Sequence, residues 1–299
     1  MEFKEKFLQK YSSLTNIDKF VEFSLKDLCK SIRVNTLKIS VKELKERMKD
    51  YELRQVPWCK EGFFIKGMRT DLGNLKEHQL GFFYIQETAS MIPPVVLNPR
   101  KGDVVFDACA SPGSKTTQMA SMMCNKGIIV ANDVKDDRIR ALSTNLQRCG
   151  VSNTVLTKSW AESVTTNFDK ILLDAPCSGT GTIRKSLKTI RIWNPNMYRK
   201  LAGVQKGLIT HCFDILNENG TMIYSTCSIS PEENEEVVDV LLQKYDNAKL
   251  EKINLDIKKS SVVLESNGKI LSNEIKKCLR IWPQDNDTSG FFVAKIKKV

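Results

Sequence analysis

Two kinds of hydrophobic pattern alternate along most of this chain. Short runs that are apolar nearly throughout appear at DVVFDA (103–108), GIIVAND (127–133), NTVLT (153–157), DKILLDA (169–175) and TMIYSTC (221–227), and each predicts a strand. Between them, residues 115–123, 136–149 and 201–216 carry apolar positions at helical spacing. Residues 87–96 predict a further helix, interrupted by Pro93 and Pro94. A last helix over 232–244 opens with Ser230, Pro231 in its first turn and Glu233. Strands apolar on both faces and separated by helices indicate a parallel sheet covered on both sides, an α/β fold. The segment RIWPQDNDTSGFFVAKI (280–296) predicts a loop and a final edge strand.

The first 85 residues follow another pattern. Residues 31–39 predict a strand, Ser40 opens a helix with Glu43 completing a capping box, and 51–66 predicts strand, turn and strand around Pro57 and Gly62. The chain therefore divides into a small amino-terminal α/β module, residues 1–85, and a larger α/β domain, residues 86–299.

Composition narrows the function. No run approaches 18 apolar residues, and the opening MEFKEKFLQK has scattered charges rather than an apolar core, so neither a membrane span nor a secretory signal is expected and a cytoplasmic location is. Nine cysteines without a C-x-x-C pair argue against a disulfide framework or a zinc site, and no metal is expected. The only two histidines, His78 and His211, stand in no catalytic setting. The formal net charge of +11 favours a polyanionic partner. Its distribution sharpens this: from Ala175 to Phe213 there is no acidic residue, while Arg184, Lys185, Lys188, Arg191, Arg199, Lys200 and Lys206 surround Trp193 and Tyr198. Cations for phosphates and rings for bases suit single-stranded nucleic acid. A plain basic surface with two partly buried aromatics fits the same residues.

In open parallel sheets, ligands bind beyond the carboxyl ends of the strands. Four groups fall there: the turn CASPGSK (109–115), Asp133, DAPC (174–177) and Cys227. The turn's small residues, Cys109, Ala110, Ser111, Pro112, Gly113 and Ser114, admit a ligand close to the backbone, and the helix start with Lys115 favours an anionic group. A phosphate-binding P-loop needs glycine immediately before the lysine, where Ser114 stands. Asp133 follows at roughly the twenty-residue spacing of an acid that holds ribose hydroxyls, so the pair fits an adenosine-containing cofactor.

Two cysteines and an aspartate suit one demanding reaction. C5 of cytosine is a poor nucleophile until a thiolate adds to C6; a sulfonium methyl group can then be transferred, and the adduct collapses afterwards. Protonation at N3 assists the addition, and Asp174, following the apolar run ILL, is expected in apolar surroundings that would suit it as a donor. The thiol needs a nearby cation to lower its pKa from about 8.5.

At these residues the chain resembles the Sun-domain RNA (cytosine-C5) methyltransferases, and among them the compact archaeal-type tRNA enzymes. The matching stretches are RVNTLK (33–38), IQETASMIPPVVLNP (85–99), DACASPGSKTTQMA (107–120), ILLDAPCSGTG (171–181), YSTCSISPEENEEVV (224–238) and GFFVAKI (290–296). The resemblance implies a Rossmann-like class I methyltransferase sheet behind a small amino-terminal α/β RNA-binding domain, with S-adenosylmethionine as cofactor and RNA, most naturally tRNA, as partner. It implies Cys227 as nucleophile, Cys177 as the group assisting release, Asp174 at the target base, and Cys109 to Lys115, Asp133, Arg138 and Asp174 as cofactor contacts. Family members often carry an acid after the third strand to hold the adenine; Trp160 stands there, either to stack on a ring or to be buried. Three other readings stay open. Ribosomal RNA is the nearest. A DNA cytosine-C5 methyltransferase would lack Cys227, and a silent RNA-binding assembly factor would have no use for intact Cys177, Cys227 and Asp174.

Overall fold

The computed structural model describes residues 3–67 and 69–299; Met1 and Glu2 of the opening stretch lie outside it. Two helices come first, α1 (Glu5–Ser12) and α2 (Ile17–Leu25). They were not legible as elements in the sequence. Phe7, Tyr11 and Phe20 on them are buried against Ile183, Ile190, Trp193, Ile229 and Trp282 of the larger domain.

A four-stranded sheet follows, built from β1 (Ser31–Val34), β2 (Glu52–Gln55), β3 (Gly62–Lys66) and β4 (Phe83–Ile85) in the order β2-β3-β1-β4, with antiparallel pairing throughout. Helix α3 (Val41–Arg47) carries the predicted capping box between Ser40 and Glu43, and α4 (Lys76–Gln79) precedes β4. The strand expected over 31–39 stops at Val34. Asn35 turns the chain there: its backbone carbonyl accepts from Lys38 N–H and its side-chain oxygen from Leu37 N–H.

Helix α5 (Ile92–Leu97) leads into the main sheet. Pro93 and Pro94 start this helix rather than interrupt it, because a first-turn residue needs no N–H partner. The strands β5 (Val104–Asp107), β6 (Ile128–Asp133), β7 (Thr154–Lys158), β8 (Phe168–Asp174) and β9 (Leu216–Thr226) pair in parallel in the order β7-β6-β5-β8-β9. Helices α6 (Ser114–Met122), α7 (Asp136–Cys149), α9 (Met197–Asp214) and α10 (Glu235–Lys244) flank them, and the short α8 (Lys188–Ile192) packs through Ile190 with the residues of α1 and α2. The central strands fill the core: Val105, Phe106, Ile171, Leu172, Met222 and Ile223 are all buried.

Beyond β9 the sheet turns antiparallel. β10 (Ala248–Glu251), a small hairpin of β11 (Glu265–Ser266) and β12 (Lys269–Ile270), β13 (Leu279–Ile281), the short α11 (Pro283–Asn286) and β14 (Phe291–Lys298) complete the chain. The last strand is not an edge strand, as the sequence suggested. β14 lies between β9 and β10 and also pairs with β13, which is why its run FFVA is buried on every residue. The helix read over 201–216 begins earlier, at Met197, and yields to β9 at Leu216. The helix read over 232–244 is split: Pro231–Glu233 forms one tight turn and α10 starts at Glu235, with Asn234 between them held out of helical geometry by its side-chain bonds to Thr226 and Ser228.

Candidate active site

The carboxyl ends of β5, β6, β8 and β9 meet in one crevice, and their polar residues meet with them. Two centres result.

The first is a pair of thiols. Cys177 follows β8 and Cys227 follows β9, and their sulfurs lie 3.1 Å apart, both half-buried. The approach depends on neighbouring backbone crossings. Gly181 N–H donates to the Cys227 carbonyl and Gly290 N–H to the Gly181 carbonyl, each at 2.9 Å. A Cβ on Gly181 would stand 2.2 Å from the Gly290 oxygen, so this crossing requires glycine. The hydrogen bond from Cys177 draws the Cys227 thiol below its ordinary range, against burial and the Asp174 carboxylate, and Lys115 and Lys185 add to the lowering. Cys177 is pushed well above its ordinary range by that same bond, then by burial, by the charge at Cys227 and by the carboxylates of Glu233 and Asp174. The two thiols are thus driven in opposite directions, Cys227 down and Cys177 up.

Beside them, Lys115 Nζ ion-pairs with Asp174 at 2.5 Å, and Ser225 Oγ donates to the same carboxyl at 2.8 Å. Two expectations change here. The apolar surroundings foreseen for Asp174 are replaced by an ion pair, although Ile171 to Leu173 before it are buried. Lys115 is not free for an outside anion; burial opposes its charge, but the contact with Asp174, helped by Asp107, outweighs this and holds the ammonium above its ordinary range. Lys115 is also the nearby cation that the sequence left unnamed.

The second centre surrounds Asp133, which ends β6. Its carboxylate accepts from Ser111 N–H at 3.3 Å and Val134 N–H at 2.8 Å and ion-pairs with Arg138 at 3.2 Å. Ser111 Oγ donates to the Arg138 carbonyl, Ala110 N–H to the Asn132 carbonyl, and the Pro112 carbonyl accepts from Asn145. Gly113, with φ of 100°, packs so that a Cβ would meet Leu142 at 2.9 Å. Cys109, Asp133, Arg138, Trp160, Glu162 and Leu208 line a cavity here. Trp160 is 69% exposed, which excludes the buried alternative. Burial pushes the Cys109 thiol well up, which disfavours its thiolate.

Several residues that shape the site had no role in the sequence reading. Asp107, fully buried at the end of β5, accepts from Thr116 at 2.7 Å, and burial raises its carboxyl to about 7. Arg33, buried in β1, donates to the Ser114 carbonyl and to Gln86 at 2.7 Å and to Thr117 at 2.9 Å, tying the first sheet to the start of α6. The acids after Cys227 divide their work: Glu232 pairs with Lys10, Glu233 meets both cysteine loops, and Glu235 forms a buried ion pair with Arg280 at 2.5 Å. The stretches RVNTLK and PEENEE carried the signal, but a linear pattern does not show which loops a side chain bridges.

The basic stretch also needs correction. Trp193 is 2% exposed, edge-on to Phe7, and Tyr198 is buried with Lys10 over its ring, so neither is available to a base. Arg184 is anchored inside by the Lys26, Asp27 and Thr288 carbonyls and by Asp287. Lys185, Lys188, Arg191, Arg199 and Lys200 remain exposed. Among the described residues no helix is long and apolar enough to cross a membrane, and none of the His, Cys, Asp and Glu groups could hold a metal ion.

The sheet order and the crevice at its carboxyl edge define a Rossmann-like methyltransferase with a separate amino-terminal domain. A family model described as 16S rRNA methyltransferase RsmB/F matches residues 94–297, and one described as the N-terminal domain of RsmF matches residues 3–88. The chain belongs to the RsmB/F family of RNA cytosine-C5 methyltransferases. It is 46% identical, over its full length and 99% of the relative, to the tRNA (cytosine(49)-C(5))-methyltransferase of Pyrococcus abyssi. It is 40% identical to ribosomal RNA small subunit methyltransferase F of Aeromonas salmonicida, of which it spans 60%. The crystal structure of NSun6 from Pyrococcus horikoshii with SFG superposes with a TM-score of 0.87 at 26% identity, covering 99% of this chain and 98% of that one.

Proposed function

We propose that this protein methylates C5 of cytosine in tRNA, taking the methyl group from S-adenosylmethionine. The observation that carries this reading is the thiol pair: two half-buried sulfurs 3.1 Å apart in the crevice where β8 and β9 end. A single reactive cysteine would serve many chemistries. A thiolate beside a retained thiol suits a reaction that makes and then breaks a carbon–sulfur bond.

In this reading the Cys227 thiolate adds to C6 of the base, which raises electron density at C5. Asp174, held by Lys115 and Ser225, contacts the base. S-adenosylmethionine, when bound, supplies an electrophilic methyl group on a sulfonium. Asp133, Arg138 and the backbone of residues 109–115 would hold it, with Trp160 against its adenine; the strand-end acid, the glycine-dependent turn and the apolar cavity wall fit such a molecule. Once C5 is methylated and its proton has left, the C6–S bond breaks with Cys177 assisting and Cys227 is restored. The target base must be flipped from its stack to reach the crevice.

Transfer RNA is favoured over ribosomal RNA because the identity to the tRNA enzyme, 46%, exceeds the 40% and 43% to the ribosomal enzymes of Aeromonas salmonicida and Shewanella piezotolerans. RNA contact is assigned to residues 1–85 together with the exposed cations of 185–200, catalysis to residues 86–299, and the site of action to the cytoplasm. The test is Cys227→Ala with labelled S-adenosylmethionine and tRNA. Methyl transfer is expected to vanish while cofactor and RNA binding persist; normal turnover would overturn the assignment. Bisulfite mapping of the RNA product then identifies the cytosine.

A further inference from the structure

We propose that Glu233 is a positioning residue for the reaction: a single buried carboxylate that clamps the two cysteine loops together and thereby sets the distance between their sulfurs. The proposal rests on the reading of Cys227 and Cys177 given above, and its test includes a measurement independent of methyl transfer.

Glu233 is 0% exposed and closes the tight turn after Cys227. Its Oε1 accepts from Ser178 N–H at 2.8 Å and from Gln205 at 3.1 Å, and its Oε2 accepts from Ser178 Oγ and Ser228 Oγ, each at 2.5 Å. Ser178 is the residue after Cys177, and Ser228 is the residue after Cys227. Gln205 also donates to the Pro176 carbonyl at 2.8 Å, so the segment before Cys177 is tied to the same point from α9. The two loops belong to neighbouring strands, and three of the four bonds to Glu233 come from the residue next to one sulfur or the other.

The chemistry of the partners supports positioning rather than ordinary packing. All four donors are neutral, so burial of this charge is compensated by hydrogen bonds alone. A buried carboxylate with two oxygens joins two separate loops more firmly than an apolar side chain of that size, which would leave Ser178 N–H unsatisfied. The carboxylate also adds to the forces that raise the Cys177 thiol, and the 3.1 Å contact with Cys177 is what lowers the Cys227 thiol. The charged groups around the sulfurs are Lys115, Asp174, Lys185 and Glu233 itself.

The experiment compares Glu233→Ala with Glu233→Gln in the full chain. Alanine removes the link. Glutamine keeps it, because its carbonyl oxygen can take Ser178 N–H and its amide can donate to the two serine hydroxyls. For Glu233→Ala, kcat is expected to fall about a hundredfold, the loss typical of an ångström-scale misplacement of reacting groups. KM for RNA and the affinity for S-adenosylmethionine should stay near wild type. Iodoacetamide labelling across pH, read by mass spectrometry at each cysteine, should show the Cys227 midpoint moved up in Glu233→Ala and returned most of the way in Glu233→Gln. Wild-type kcat or an unmoved Cys227 midpoint in a cofactor-binding Glu233→Ala protein overturns the proposal. If that variant does not fold, Ser178→Ala combined with Ser228→Ala removes the two hydroxyl contacts while Glu233 keeps Ser178 N–H and Gln205. An unmoved Cys227 midpoint there overturns it equally. Failure of Cys227→Ala to abolish transfer would sink the catalytic reading, whereas the labelling midpoints judge the clamp by themselves.

Discussion

The two halves of the crevice are built on opposite plans. At the thiol end, Ser178, Thr180, Ser228, Glu233 and Asn234 are all buried and joined by hydrogen bonds, so the loops that carry Cys177 and Cys227 have little freedom. At the end proposed to hold the methyl donor, the cavity is walled by the exposed Trp160 and Val204, and its polar contacts come from one strand-end acid, one arginine and backbone groups. A covalent step requires reacting atoms held to a fraction of an ångström. A cofactor that is consumed and replaced on every turnover requires a site that opens. The contrast predicts that substitutions at the thiol end change the rate of chemistry, and that those at the donor end change affinity.

The largest effect expected at the thiol end, short of losing the proposed nucleophile Cys227, is that of Cys177→Ala. If Cys177 assists release, turnover falls by about 10²–10⁴-fold, the range for loss of a positioned proton-transfer group. RNA remains attached to Cys227, seen as a slow band on a denaturing gel when cofactor is present. Cofactor affinity should not change. No retained RNA, with normal turnover, would remove the release role and break the comparison at its strongest point.

Lys115→Gln tests the same end through charge. Lys115 helps lower the Cys227 thiol, and Asp174, left without its ion pair, would raise it further. Both changes have the same sign, so the acid limb of kcat/KM moves to higher pH. At pH 7 the rate should fall roughly tenfold for each unit of that displacement and recover as pH rises. A limb that stays in place would mean that another cation, such as Lys185, governs the thiolate.

The donor end should respond differently. Trp160→Ala is expected to weaken S-adenosylmethionine binding by about tenfold, within the range measured for base–aromatic stacking, and to leave kcat at saturating cofactor unchanged. A loss of kcat without a change in Kd would place Trp160 on the RNA side and blur the division.

The sequence showed the crevice more clearly than it showed what stiffens it. Strand ends are legible because apolar runs such as ILL and MIY locate them within a few residues, and parallel topology then brings Asp133, Asp174 and Cys227 to one edge without further information. The turn 109–115 was legible for the same reason. Glu233 and Arg33 were not, since each acts by bridging segments far apart in the chain, and spacing along one segment says nothing about the other. Trp193 and Tyr198 misled for a related reason. Their aromatic rings among cations suggested a surface for bases, but α1 and α2, whose own pattern was too short to be read, pack over this region: Phe7 and Phe20 share a core with Trp193, and Lys10 lies over Tyr198. The final strand looked like an edge because it comes last; only its pairing with β9, β10 and β13 shows it to be interior.

The smallest expected effects lie on the basic stretch that runs out from the thiol loop, where rigid and open parts alternate residue by residue. Lys188 and Arg199 are exposed, whereas Arg184 is anchored by three backbone carbonyls and Asp287. If the exposed cations meet phosphates, Lys188→Ala or Arg199→Ala should weaken RNA binding only a few-fold and reduce the slope of log K against log salt by about 0.7–0.9 for each phosphate no longer neutralised. Neither should alter the Cys227 titration or cofactor affinity. Arg184→Ala should do the reverse. It removes the partner of the Lys26, Asp27 and Thr288 carbonyls and of Asp287 and frees the segment after Gly179, lowering the melting temperature, while the salt slope stays as it was. Equal salt slopes for all three variants and wild type would mean that RNA approaches from another face, and the exposed cations would then have no part in positioning the base over Cys227.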